Sequence, residues 1–350
     1  MYNTYRQSEK GIIMQKENLV SGMRSTGKLH LGHYMGVLTN WVNLQDEYNC
    51  FYFVADWHAL TTKYDKTENL KQDKLDVILD WLACGIDPNK STIYFQSKVL
   101  QIAELHVLLS MITPNNWVER DPTLKDMVKI IKNKDGDNSE NVPQLNYGLL
   151  GYPVLMSADI MALNGAIVPV GIDQLAHLEI TRDIARRFNN IYKTELFNEP
   201  KPKLTQIPLL CGVDGQKMGK SFANDIKISD DEATTTKKVM QCITDRSRAR
   251  KDDPGHPDKC EVAFKYYEIF GSEDVVKEVE AECKAGKRGC ADCKRQLGCI
   301  INEKFASIRQ KRQELSQDID TVYDIINDGN KKAADEAERV MQKVRDAVNI

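Results

Sequence analysis

Six consecutive apolar residues, Cys50-Phe-Tyr-Phe-Val-Ala55, constrain this chain most. A strand with one wet face alternates polar and apolar side chains. An unbroken short apolar run fits a strand buried on both faces, as in a parallel sheet covered by helices. The flanking sequence agrees. Leu19 to Gly22 reads as a short strand entering a glycine-containing loop, and Leu31 to Glu47 as an amphipathic helix with Val37, Leu38, Trp41 and Leu44 on one face. Leu70 to Ala83 is helical and broken by Gly85 and Pro88, Ile93 to Gln96 is a short strand, and a helix follows from about Leu100. Ile167 to Val170 and Gln174 to Asn189 repeat the strand–helix pattern. This alternation predicts an α/β fold with a Rossmann-like, doubly wound parallel sheet. In such folds ligands sit at the carboxyl ends of the strands. From about Lys227 onward the pattern changes to long polar helices, which places a boundary near 225. The expected organisation is an N-terminal extension (1–18), a sheet domain (19–225) and an all-helical domain (226–350).

The 350 residues, 41% of them apolar and 28% charged, suffice for one large or two medium domains with real cores. No run of 18 apolar residues occurs, so no membrane span is expected. Met1 to Val20 is polar and lacks the apolar stretch of a secretory signal, and Met14 is an alternative start. The expected location is therefore cytoplasmic. The net charge is −3, so a nucleic-acid partner has to use local basic patches. Arg246, Arg248, Arg250 and Lys251 form one such run, and Lys304, Arg309, Lys311 and Arg312 another. Either run also fits an ordinary solvated surface.

Two short motifs carry chemistry. In Ser21-Gly22-Met23-Arg24-Ser25-Thr26-Gly27-Lys28-Leu29-His30-Leu31-Gly32-His33 a strand runs through a turn into a helix start, where backbone N–H groups favour phosphate. His30 and His33 share one face of the first turn, and Gly32 permits close approach of a flat ring. In Lys217-Met218-Gly219-Lys220-Ser221 two lysines on a glycine-flexible loop can bracket a polyphosphate as movable point charges. Alone, the first is equally compatible with two helix-start histidines and the second with a charged surface turn.

Together, His-x-Gly-His near the N-terminus and Lys-Met-x-Lys-Ser about 190 residues later resemble the paired signatures of class I aminoacyl-tRNA synthetases. Three further segments resemble the tryptophanyl-tRNA synthetases: Phe53 to Thr62, Tyr152 to Ile160, and Val168 to Gln174 with the helix carrying His177, Glu179, Thr181 and Arg182. The likeness runs from about Leu19 to the C-terminus. It implies a ligase that activates L-tryptophan with ATP, presented as its Mg²⁺ complex, and then charges tRNA(Trp). It also implies a homodimer joined through helices after Tyr94, and a last helix that returns to the ATP-binding half.

The resemblance implies residue roles as well. Met23, Arg24, Thr26, Gly32, His33, Gly171, Asp173, Lys217, Met218, Gly219, Lys220 and Ser221 would surround ATP. His30, His33, Lys125, Lys217 and Lys220 would stabilise charge on its phosphates. His58, Tyr152, Met156, Asp159 and Gln174 would hold tryptophan, with Asp159 accepting the indole N–H, the only hydrogen bond that ring donates. His58 and Met156 also fit plain core packing. Three positions depart from the family pattern: Gly219 stands where serine is commonest, Ile172 where an acidic residue is common, and Arg24 where many members have glutamine.

Nine cysteines remain to be placed. Cys50, Cys84, Cys211 and Cys242 sit in apolar contexts and read as core. Cys260, Cys283, Cys290 and Cys293 crowd together, and four soft thiolates suit zinc or an iron–sulfur cluster without the spacing choosing between them. A subset of bacterial tryptophanyl-tRNA synthetases resembles this spacing and implies a [4Fe–4S] cluster, with Zn²⁺ as the alternative. Cys299 reads as an ordinary helix residue.

Overall fold

The computed structural model describes residues 16–25, 27–121, 146–171, 174–204 and 210–350. Five parallel strands form one sheet: β1 (Asn18–Arg24), β2 (Asn49–Ala55), β3 (Ser91–Phe95), β4 (Ile167–Val170) and β5 (Lys201–Leu204), in the order β3-β2-β1-β4-β5. The apolar run occupies β2 next to the centre. Its residues alternate between two cores: Cys50, Tyr52 and Val54 face one, while Phe51, Phe53 and Ala55 face the other. A strand buried on both faces can therefore be apolar at every position.

The helices follow the expected alternation. After β1 come α1 (Leu31–His33), a π-helical segment (Tyr34–Leu38) and α2 (Thr39–Leu44), so the amphipathic stretch is helical but under-wound in its middle. Next are α3 (Asp56–Lys63), α4 (Leu70–Ala83), α5 (Leu100–Ile112), α6 (Asn115–Glu119), α7 (Tyr147–Leu150), α8 (Tyr152–Met161) and α9 (Leu175–Tyr192). Five α-helices follow: α10 (Glu232–Val239), α11 (Ala263–Phe270), α12 (Glu273–Lys284), α13 (Cys290–Gln317) and α14 (Ile319–Val348). β5 escapes a sequence reading because Lys-Pro-Lys-Leu is polar, a composition an edge strand tolerates.

Two features of the sheet create the site. β1 lies beside β2 in register along its full length, from Asn18 with Asn49 to Arg24 with Ala55, but meets β4 in register only at Leu19 and Ile167. The carboxyl halves of β1 and β4 splay apart where the strand order reverses, which is where open α/β sheets bind ligands. At the opposite edge α14 seals β3. The Phe95 N–H donates to Asn330 Oδ1 at 2.9 Å. A Cβ on Gly329 would lie 1.9 Å from the Ile93 carbonyl oxygen, so only glycine allows this helix so close to the strand.

The core on the α4 side of the sheet continues into the helical half, through Tyr266, Tyr267, Phe270, Leu297, Phe305 and Ile326. Among the described residues no helix is long and apolar enough to cross a membrane.

Candidate functional site

A cavity of about 380 Å³ opens between the splayed strands, lined by Val20, Ser21 and Gly22 of β1 and Val168, Pro169 and Val170 of β4. Pro169 has no N–H to offer a neighbouring strand, in keeping with the gap beside it. His58, Tyr152, Met156, Asp159 and Gln174 all line this cavity, as do Arg24 and Gly171.

Asp159, on α8, is 1% exposed. Its carboxylate accepts from Gln96 Nε2 at 2.8 and 3.0 Å, and its Oδ2 lies 2.8 Å from His58 Nε2. Burial pushes this carboxyl up, and the bonds from His58 and Gln96 pull it back toward the ionised form. The Gln96 carbonyl oxygen in turn accepts the Trp57 N–H at 3.0 Å, so both ends of that amide are fixed.

On the other side of the cavity Tyr152 donates to Asp121 Oδ2 at 2.8 Å and also touches His177 Nε2. His177 Nε2 lies 2.7 Å from the same carboxylate oxygen, and His177 Nδ1 lies 2.9 Å from Gln174 Oε1. Tyr152, His177, Gln174 and Asp121 thus form one buried polar chain.

Gln96 and Asp121 received no role from the sequence. Gln96 could have been noticed as the polar residue that ends an apolar strand at the ligand-binding edge of the sheet. Asp121 carries no local signal, because its partners come from α8 and α9.

The phosphate motifs meet at the mouth of the cavity. Lys220 Nζ donates to the Gly27 carbonyl oxygen at 2.8 Å, across a sequence separation of 193 residues. The segment after the second motif clamps the first: the Leu31 N–H donates to Ile226 O and the Ile228 N–H to Leu29 O, both at 2.9 Å. Met218 is buried, with its Cβ 3.8 Å from the Cβ that a side chain at Gly32 would carry. Lys217 is exposed on the turn, and the loop is braced by Asn224, whose Oδ1 accepts the Gly219 N–H at 2.9 Å. Met23 is buried in the core, so the structure places its side chain under the site. Thr26, Lys125 and Asp173 lie outside the described residues, as does the Ser221 side chain.

The rings of His30 and His33 lie with centroids 3.8 Å apart and planes tilted by 40°, and the His30 N–H donates to His33 Nδ1 at 3.3 Å. Burial lowers the pKa of His30 to about 4, and burial plus the neighbouring His30 and Lys220 lowers that of His33 to about 3. Both rings are neutral at pH 7. Burial also lowers Lys220 to about 8, against the raising influence of Asp73, Asp80 and Asp225. Buried polar atoms without a partner among the described residues cluster here: Arg24 Nε, Ser25 Oγ, His30 Nδ1 and Asp225 Oδ2. Buried groups left unpaired are costly, and a polar ligand supplies what they lack.

The cysteine expectation fails. Cys260, Cys283, Cys290 and Cys293 do line one small cavity of about 30 Å³, together with Arg248 and Arg288. Among the described residues, however, no group of three or more His, Cys, Asp or Glu side chains could hold a metal ion. This overturns both the [4Fe–4S] cluster and the Zn²⁺ alternative at these four residues. The room is that of a water or two. Burial keeps the Cys260, Cys283 and Cys293 thiols above their ordinary values. Cys260 Sγ accepts the Phe264 N–H and Cys290 Sγ accepts from Arg248 Nη1. All nine cysteines are free. Mg²⁺ travelling with ATP needs no such cluster.

The family model "tRNA synthetases class I (W and Y)" matches residues 15–306. A tryptophan–tRNA ligase of Thermotoga maritima is 45% identical, covering 95% of this chain and 99% of that protein. One from Aquifex aeolicus is 41% identical over the same shares of the two chains. The crystal structure of the tryptophanyl-tRNA synthetase of Campylobacter jejuni with ADP and tryptophan superposes with a TM-score of 0.84 at 34% identity, covering 95% of this chain and all of that one.

Proposed function

The chain belongs to the class I tRNA synthetases of the W and Y family, and from that premise we infer how its cavity serves the reaction. It is a tryptophan–tRNA ligase: it activates L-tryptophan with ATP to the adenylate and pyrophosphate, then transfers the acyl group to tRNA(Trp). The observation that carries the choice of amino acid is the buried Asp159 carboxylate in the wall of the cavity, held by His58 and Gln96. It is the acceptor for the indole N–H, with Met156 as a polarizable wall. Tyr152 and Gln174, tied to Asp121 through His177, hold the ammonium group.

In the first step a carboxylate oxygen of tryptophan attacks the α-phosphorus and pyrophosphate leaves. The nucleophile is already an anion, so no general base is needed, and catalysis rests on positioning and charge stabilisation. The neutral His30 and His33 act there as hydrogen-bonding groups. The positive charge comes from Lys217, Lys220 and Lys125. Arg24, Gly32, Gly171 and the backbone around Met218, Gly219 and Ser221 complete the ATP site, with Thr26 and Asp173 assigned to it by family likeness. In the second step a hydroxyl of the terminal ribose of tRNA attacks the acyl carbon and AMP leaves.

Residues 19–225 make up the catalytic part and 226–350 the part that receives the anticodon. Among the described residues all five strands lie before residue 205 and every regular element after residue 231 is a helix, which supports that division. The basic run from Arg246 to Lys251 would supply phosphate contacts there. The working form is a cytoplasmic homodimer, for which the exposed Leu100, Val107 and Met111 on α5 offer an apolar stripe.

ATP–pyrophosphate exchange with tryptophan and with tyrosine tests the assignment. Exchange supported by tyrosine instead of tryptophan would overturn it.

A further inference from the structure

The sequence puts Arg312 in a basic surface run, but the structure turns it inward. From near the end of α13 its Nε donates to Asp80 Oδ1 and its Nη2 to Asp76 Oδ1, both at 2.5 Å. The Arg312 side chain is 13% exposed and that of Asp80 fully buried. Asp80 has a second bond. Its Oδ2 accepts the Leu29 N–H at 2.6 Å, and Leu29 immediately precedes His30. The Leu29 carbonyl is tied as well, accepting from the Ile228 N–H at 2.9 Å.

One carboxylate therefore joins three parts of the molecule: α4, the backbone that leads into the two histidines, and the helical half. Two acids facing one guanidinium deep in a core are an expensive arrangement if stability alone were served, since apolar residues of similar size often stabilise as well or better. The bond to the signature backbone gives that arrangement a use.

We propose that Asp80 is a positioning residue of the ATP site, fixing the Leu29–His30 backbone, and that Arg312 holds Asp80 in place. The histidines then sit correctly only when the end of α13 is docked on α4. Displacement of the helical half reaches the phosphate site through this link. The proposal rests on the assignment of His30 and His33 to ATP, which wild-type exchange activity tests separately.

The test uses Asp80→Asn, Arg312→Gln and the double variant in the full chain. ATP–pyrophosphate exchange gives the KM for ATP and kcat, and calorimetry gives the Kd for tryptophan without ATP. The loss of one hydrogen bond to a charged group predicts a fall of about tenfold in kcat/KM for ATP in each single variant. Tryptophan affinity stays within about twofold, because neither residue lines that cavity. The double variant loses about as much as the worse single one, as expected of two residues acting through one bond network. Thermal melts identify a variant that has simply failed to fold, and Asp80→Asn, nearly isosteric, is the safer of the two. Either folded single variant with ATP kinetics within about twofold of the unsubstituted chain would overturn the proposal. So would equal losses for ATP and tryptophan, or strictly additive losses in the double variant.

Discussion

Replacing Asp159 by asparagine isolates the interaction proposed above to set amino-acid choice. The native carboxylate accepts three short contacts, two from Gln96 and one at His58 Nε2. Asparagine keeps one acceptor oxygen and puts an NH₂ group in place of the other. If that NH₂ faces His58, the imidazole must present its bare nitrogen there; if it faces Gln96, two donors oppose each other. In either orientation the indole N–H exchanges an ionised acceptor for a neutral, half-committed one. A hydrogen bond to a charged group is worth ~1.5–3 kcal/mol and a neutral one about 1. Adding the frustrated donor, the expected loss is about 1–3 kcal/mol, or roughly 5- to 150-fold in kcat/KM for tryptophan. Pyrophosphate exchange with tryptophan and with its benzothiophene isostere, which lacks the ring N–H, reads this directly. Tryptophan activation falls while the isostere is hardly affected, so the discrimination between them shrinks by the same factor. Unchanged tryptophan kinetics, or an equal fall for both substrates, would refute Asp159 as the indole partner.

Lys220→Ala should lower the rate of adenylate formation by roughly 10²-fold or more, as loss of one preorganised charge at the phosphates does, measured by single-turnover kinetics. Lys220 loses its charge as pH rises through about 8, so kcat/KM for ATP should fall on the alkaline side near that value. Lys220→Arg should carry the limb upward, because guanidinium stays protonated; a limb unmoved by this change would assign it to another group. The neutral states of His30 and His33, with pKa values of about 4 and 3, predict no acid limb from either between pH 6 and 8. Gly329→Ala should destabilise the chain by about 3 kcal/mol in urea unfolding, since its methyl would meet the Ile93 carbonyl at 1.9 Å; native stability would mean that α14 is not held against β3.

The sequence by itself determined four of the five strands and the identity of the chemistry. A run such as Cys50–Ala55 has few folds open to it, because hydrophobic burial is short-ranged and periodic, and it marked β2 without any partner in view. The histidine and lysine motifs could be read because each is local. The crossing of chain segments could not. Gln96, Asp121 and Asp80 act through partners 31 to 232 residues away, and nothing beside them in sequence announces those bonds. Asp80 did carry a hint, an acid inside the apolar stretch Val77 to Ala83, where a charge is tolerated only if paired. Tertiary structure alone decided that Arg312 points inward and that the histidines are neutral. It also decided that four crowded cysteines do not make a metal centre. Protonation and ligation depend on burial and on distances of a few ångströms, and residue spacing along a chain does not encode either.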